Sequence, residues 1–194
     1  MKKYSNFITF TRLLGVALCL FTNANVARAV QYKVTDLGTF GGDLAYAFAI
    51  TDNSYITGDF GTKNPDGTLA TSNAFLLERS SNSFVDIGAL NGAYSYGYDV
   101  NIHGQVTGSH DGGAFLYTDG DFKDLSSISG FGAIGEGINS SGHIIGTEFN
   151  GGSFYYDGNR MIDFVALTGG GIGHDINDLG RVTGSDLNGN AIIW

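Results

Sequence analysis

The sequence predicts an all-β fold, a four-bladed β-propeller of four-stranded antiparallel blades. Three observations predict it. A unit of four strand-like runs recurs four times along the chain. Turns of Asn and Gly join the runs. The composition also fits: 31 Gly but 1 Pro among 194 residues, with 13% aromatic, suits many short strands linked by tight turns. Hydrophobic residues reach 42%, enough to bury a core and too many for a disordered chain. No stretch after the first 29 residues holds apolar spacing of three and four, so no long helix is expected.

Four signatures mark the repeat. An Asp followed by an apolar residue recurs at Asp36, Asp86, Asp124 and Asp163. An Ile or Val precedes Thr51, Asn101, Asn139 and Asn177. A Gly closes a short apolar run at Gly58, Gly108, Gly146 and Gly184, spaced by 50, 38 and 38 residues. The fourth signature is Ala74-Phe75-Leu76, Ala114-Phe115-Leu116, Ser153-Phe154-Tyr155 and Ala191-Ile192-Ile193. A period near 40 with four strands per copy is a propeller-blade period. The first copy carries an insertion, expected as a loop over Asp59–Asn73 with Pro65 in it.

The turns set the strand order. Asn101-Ile102-His103-Gly104 and its counterparts at 139–142 and 177–180 read as tight hairpins, with Asn accepting local amides and Gly supplying positive φ. The long connections lie between the Asp-bearing run and the next Ile-Asn run. Each blade therefore runs from the Ile-Asn strand inside to the Asp strand outside. By this phasing the chain opens with an outer strand, Tyr32–Leu37, and ends with three strands of its last copy. Pairing of Tyr32–Leu37 with Ala191–Trp194 is expected to close the ring and remove exposed edges. An open arc, or a piece of a longer array, is the alternative.

Residues 1–29 read as a secretory signal: Lys2, Lys3 and Arg12, an apolar run Leu13–Phe21, then Ala27-Arg28-Ala29 before the cut. The run is too short to span a bilayer. Residues 30–194 form the single propeller domain, secreted or periplasmic, with no membrane insertion after cleavage. Four of the 10 basic residues and no acid lie in the signal, leaving 6 basic against 19 acidic residues, a net charge of −13. Such a surface repels phosphate backbones and excludes nucleic acid as a partner. Cys19, the one cysteine, leaves with the signal, so no disulfide is expected.

The run Asp36–Gly42, the pattern Ile176–Gly184 and the segment Ala114–Tyr117 together resemble the HAF extracellular-repeat family, over nearly the whole mature chain. The resemblance implies secretion and a propeller-like fold, and it implies no activity. The chain departs from it at one position: Asn73, Gly113, Gly152 and Asn190 stand where that family has the His of its His-Ala-Phe.

Function is sought where the copies differ, on the face bearing the long loops. Tyr94 and Tyr96, with Tyr46 and Phe131 in comparable places, offer flat faces with hydroxyl handles, a means of binding sugars. His110, Glu148 and Asp186 occupy matching positions after the Gly of their copies, where Phe60 stands in the first. Their convergence would supply nitrogen and oxygen ligands to a cation. Asp186, Asn188 and Asn190 alternate as in a Ca²⁺ loop but lack its distal Glu. No other cofactor is indicated. Glu136 and His174 replace Phe48 and Tyr98 and are expected to pair across adjacent blades. No nucleophile elbow, phosphate loop or zinc-protease helix motif occurs, so no catalytic residue is assigned. The expected function is non-enzymatic binding of an extracellular glycan or protein. The alternatives are a glycan hydrolase or lyase using Glu136, Glu148 or Asp186 with His110 or His174, and a structural matrix component.

Overall fold

The computed structural model describes residues 32–89, 92, 94–125 and 132–194. Residues 1–29, expected to be a secretory signal and holding Cys19, and Phe131 lie outside them. Contacts divide the chain between Asp36 and Leu37. In the first unit, residues 32–36 form no strand, and Tyr32 and Val34 are exposed.

The second unit is all-β and is built of four antiparallel sheets, each in sequence order. The first holds β1 (Leu44–Ile50), β2 (Tyr55–Lys63), β3 (Leu69–Glu78) and β4 (Ser83–Gly88). The second holds β5 (Ser95–Val100), β6 (Val106–His110), β7 (Gly113–Thr118) and β8 (Asp121–Asp124). The third holds β9 (Ala133–Ile138), β10 (Ile144–Glu148), β11 (Ser153–Tyr156) and β12 (Met161–Asp163). The fourth has three strands: β13 (Ile172–Ile176), β14 (Val182–Ser185) and β15 (Ala191–Ile193). A five-residue helix, α1 (Phe164–Thr168), lies between the last two sheets, capped by the Asp163 carboxylate, which accepts from Ala166 N–H at 3.0 Å.

The expected hairpins form. Asn101 Oδ1 accepts from the amides of His103 and Gln105, and Asn139 and Asn177 do the same in their turns. Gly104 has φ +74°, a conformation that needs glycine. Two expectations are corrected. The insertion is no loop: Phe60, Gly61, Thr62 and Lys63 pair with Asn73, Ser72, Thr71 and Leu69, so it lengthens a hairpin and leaves Asn64–Thr68 as the turn. The closing strand is not formed either: residues 32–37 lie in no strand, and among the described residues the four sheets form no closed ring. Gly38 and Phe40 turn the chain at φ +77° and +53°. Leu37 and Phe40 pack on the first sheet, where Phe40 stacks on Phe84 at 4.4 Å.

Consecutive sheets join through one recurring design. The inner strand of each sheet after the first presents a glycine to the preceding sheet. A Cβ at Gly97 would lie 2.2 Å from Thr57 Oγ1, and one at Gly135 would lie 2.1 Å from Thr107 Oγ1. Apolar side chains fill the remainder. Val100 packs with Ala74, Leu76 and Ala49 of the first sheet, and Ile138 with Ala114 and Leu116 of the second. The turn asparagines add a latch: Asn101 Nδ2 donates to the Asn139 carbonyl (2.9 Å), and Asn139 Nδ2 to the Asn177 carbonyl (3.2 Å). Residues that recur in every copy thus serve the turns and the joints between sheets.

Candidate functional site

The site grows from the alternation of the inner strands. Residues two apart on a strand share a face, so Tyr46 and Phe48 stand together on β1, and Tyr96 and Tyr98 on β5. The rings form a chain: Tyr46 to Phe48 at 6.5 Å and 10°, Phe48 to Tyr98 at 5.7 Å and 40°, Tyr98 to Tyr96 at 6.3 Å and 13°. They line a cleft of about 510 Å³ whose far side is the lengthened β2–β3 hairpin, with Lys63, Gly67 and Leu69. Tyr46 and Phe48 are half exposed, an unusual placing for rings that nothing covers.

Asp59 is the one carboxylate in the cleft wall. It lies opposite Tyr46 in the β1–β2 register and is buried. Burial raises its pKa above the usual carboxylate value, and the hydrogen bond from Ser72 Oγ (2.7 Å) offsets part of that rise. The Tyr96 hydroxyl is pushed up as well, by burial first and by the Asp59 charge second. An apolar strip edged by one carboxylate, one ammonium and several phenols fits a polyhydroxylated ligand: rings take the apolar face of a sugar, and the edge groups take its hydroxyls.

The expected site residues separate. Tyr96 lines the cleft. Tyr94 supports it from behind: its hydroxyl donates to the Leu69 carbonyl (3.3 Å), and its backbone bridges to Ser72. His110 is not among the residues that line this cleft. It is buried, its Nε2 lies 3.2 Å from Asp124 Oδ1 in its own sheet, and its ring meets Phe122 edge-on at 5.5 Å. Glu148 and Asp186 line a second cleft, of about 510 Å³, between the third and fourth sheets, with Asp163. Asp186 is engaged in its own turn: Oδ1 accepts from the amides of Asn188 and Asn190, and Oδ2 from Asn190 Nδ2. These bonds, Asn190 foremost, hold its pKa below the usual value. Among the described residues no three His, Cys, Asp or Glu side chains are grouped to hold a metal ion.

Glu136 and His174 pair across adjacent sheets as expected, Oε2 to Nδ1 at 2.7 Å, while Thr147 Oγ1 donates to Glu136 Oε1. The inner strands thus carry aromatic residues in the first two sheets and an acid–base pair in the last two. Sequence reasoning missed Phe48 and Tyr98 as cleft-lining residues, and took Asp59 only as the start of the inserted loop. The signal was present: Asp59 replaces the Ser109, Thr147 and Ser185 that follow the same Gly in the other copies.

These features define a repeat of small antiparallel sheets bearing an aromatic cleft on its first two sheets. No family model, curated protein or solved structure matches the chain.

Proposed function

We propose that this chain is a non-enzymatic extracellular binding module, built of propeller-type blades in an open array, that takes glycans along the strip Tyr46, Phe48, Tyr98 and Tyr96. The observation that carries the proposal is the strip itself, four rings in series beside the buried Asp59. The secretory reading of residues 1–29 and the resemblance to the HAF repeat family belong to the same proposal. The inside-to-outside strand order and the seating of each inner strand on the preceding sheet support the propeller class.

Calorimetry with soluble neutral polysaccharides tests it. Binding without product release is expected. Tyr98→Ala should weaken binding about tenfold, as losing a stacked ring of about 1.5 kcal/mol does. Wild-type affinity in both Tyr98→Ala and Phe48→Ala would refute the strip as the site. One observation favours a second reading, hydrolysis or lysis of glycans: Glu148, Asp163 and Asp186 share a cleft. Reducing-sugar release that vanishes in Glu148→Gln would establish that reading and displace the first.

A further inference from the structure

The joints inside the chain show what each end sheet lacks. Val100, Ile138 and Ile176 close the inner strands of the second, third and fourth sheets and are 5%, 5% and 4% exposed, because the preceding sheet covers them. Ile50, at the same position in the first sheet, is 69% exposed. The other end mirrors this. Thr57, Thr107 and Ile145 are fully buried beneath the following sheet, whereas their counterpart Thr183 is exposed. Leu116 is 7% exposed and its counterpart Ile193 61%. Each end of the array is half of an interface that the chain builds three times.

The polar groups of the two ends also match. Ile138 follows Gly137, which has no carboxylate, and its N–H donates instead to Asp99 Oδ2 of the preceding sheet at 2.8 Å. Ile50 follows Ala49 and is in the same position. Asp175 on the last sheet is the counterpart of Asp99. Its Oδ1 accepts from Ile176 N–H, and its Oδ2 has no partner among the described residues. Asn139 Nδ2 donates to the Asn177 carbonyl, and Asn177 Nδ2 has no acceptor among the described residues.

We propose that the last sheet of one copy docks on the first sheet of a second copy, head to tail. Asp175 then accepts from the N–H of the partner's Ile50, Asn177 Nδ2 donates to the carbonyl of the partner's Thr51, and the partner's Ile50 is covered by the face that carries Thr183 and Ile193. The first and last sheets of one chain share no interface of the size that joins consecutive sheets, so these two halves are left to meet between copies. Ala47 stands where the internal joints have Gly97, Gly135 and Gly173. Its methyl group keeps the intermolecular joint wider and weaker than the internal ones. Such a contact is heterologous, leaving one free half at each end, so assembly proceeds past the dimer.

Sedimentation velocity on the mature chain tests the proposal, with Ile50→Lys blocking one end and Ile193→Lys the other. Both residues are exposed in a single copy, so each variant should keep the circular dichroism and melting temperature of the dilute wild type. Wild-type mass should rise with concentration past the dimer, and each variant alone should stay monomeric. An equimolar mixture should stop at a one-to-one dimer, because it holds one intact copy of each end. Ala47→Gly should lower the concentration at half-assembly, and a rise there counts against the proposal. A wild type that stays monomeric throughout overturns it. So does a single variant that dimerises alone, since that contact would be isologous.

Discussion

Asp59 and Asp99 are the residues whose chemistry departs most from the surface average, and burial is the leading cause in both. Their pKa values are raised above 3.8, so the folded state holds their protons more tightly than the unfolded chain does. Stability they contribute is full below that value and is lost as pH rises through the folded pKa. Urea titrations across the acid range should therefore show Asp59→Asn flattening that fall, while the bond from Ser72 survives through the amide oxygen. An unchanged pH profile would mean that Asp59 is solvated. Asp99 has a structural duty as well, accepting from the amides of Val100 and Ile138. Asp99→Ala strands both donors and should cost about 1–3 kcal/mol for each one left buried, read as a lower denaturation midpoint with unchanged slope. Neither role was legible in the sequence. An acid on a strand beside Gly58, or in a bulge after Tyr98, reads as a solvent residue until the register is known. For His110 too, its position in the repeat was legible, but the burial of its side chain beside Asp124 was not.

At the scale of elements the sequence was far more readable. The Asn-x-x-Gly turns fix their hairpins by local bonding, and strand order follows from which connections are short. The insertion misled because Asn64, Pro65, Asp66 and Gly67 cluster as turn formers, while the Thr residues flanking them pair as strands. The glycines of the inner strands test whether close approach joins the sheets. Gly135→Ala would set a methyl 2.1 Å from Thr107 Oγ1 and force the second and third sheets apart. Overpacking of this kind costs typically about 1–3 kcal/mol. Adding Thr107→Ala should restore part of the loss, since the two sites are in contact and their effects are not additive. Strict additivity in thermal melts would place the strain elsewhere.

For the whole molecule, charge and repetition dominate. A chain with a net charge of −9 works against its own compactness. Added sodium chloride should raise its melting temperature at neutral pH, most steeply at low ionic strength, where screening changes fastest. A flat salt response would show that the acids are locally neutralised. The aromatic cleft was only half visible at this scale, because it needs two inner strands side by side and a hairpin folded over them. Sequence places Tyr96 but not its neighbours.

The bulge of the inner strands alternates along the array: Ala49 and Gly137 bring no acceptor, Asp99 and Asp175 bring one. The third sheet therefore borrows from the second, whose Asp99 takes the N–H of Ile138. In the proposed assembly the first sheet borrows from the fourth sheet of another copy in the same way, and the repeating module becomes a pair. An array shortened or extended by two sheets keeps every lender beside a borrower, whereas a change of one sets two of a kind together. Length in a protein of this design is counted in twos.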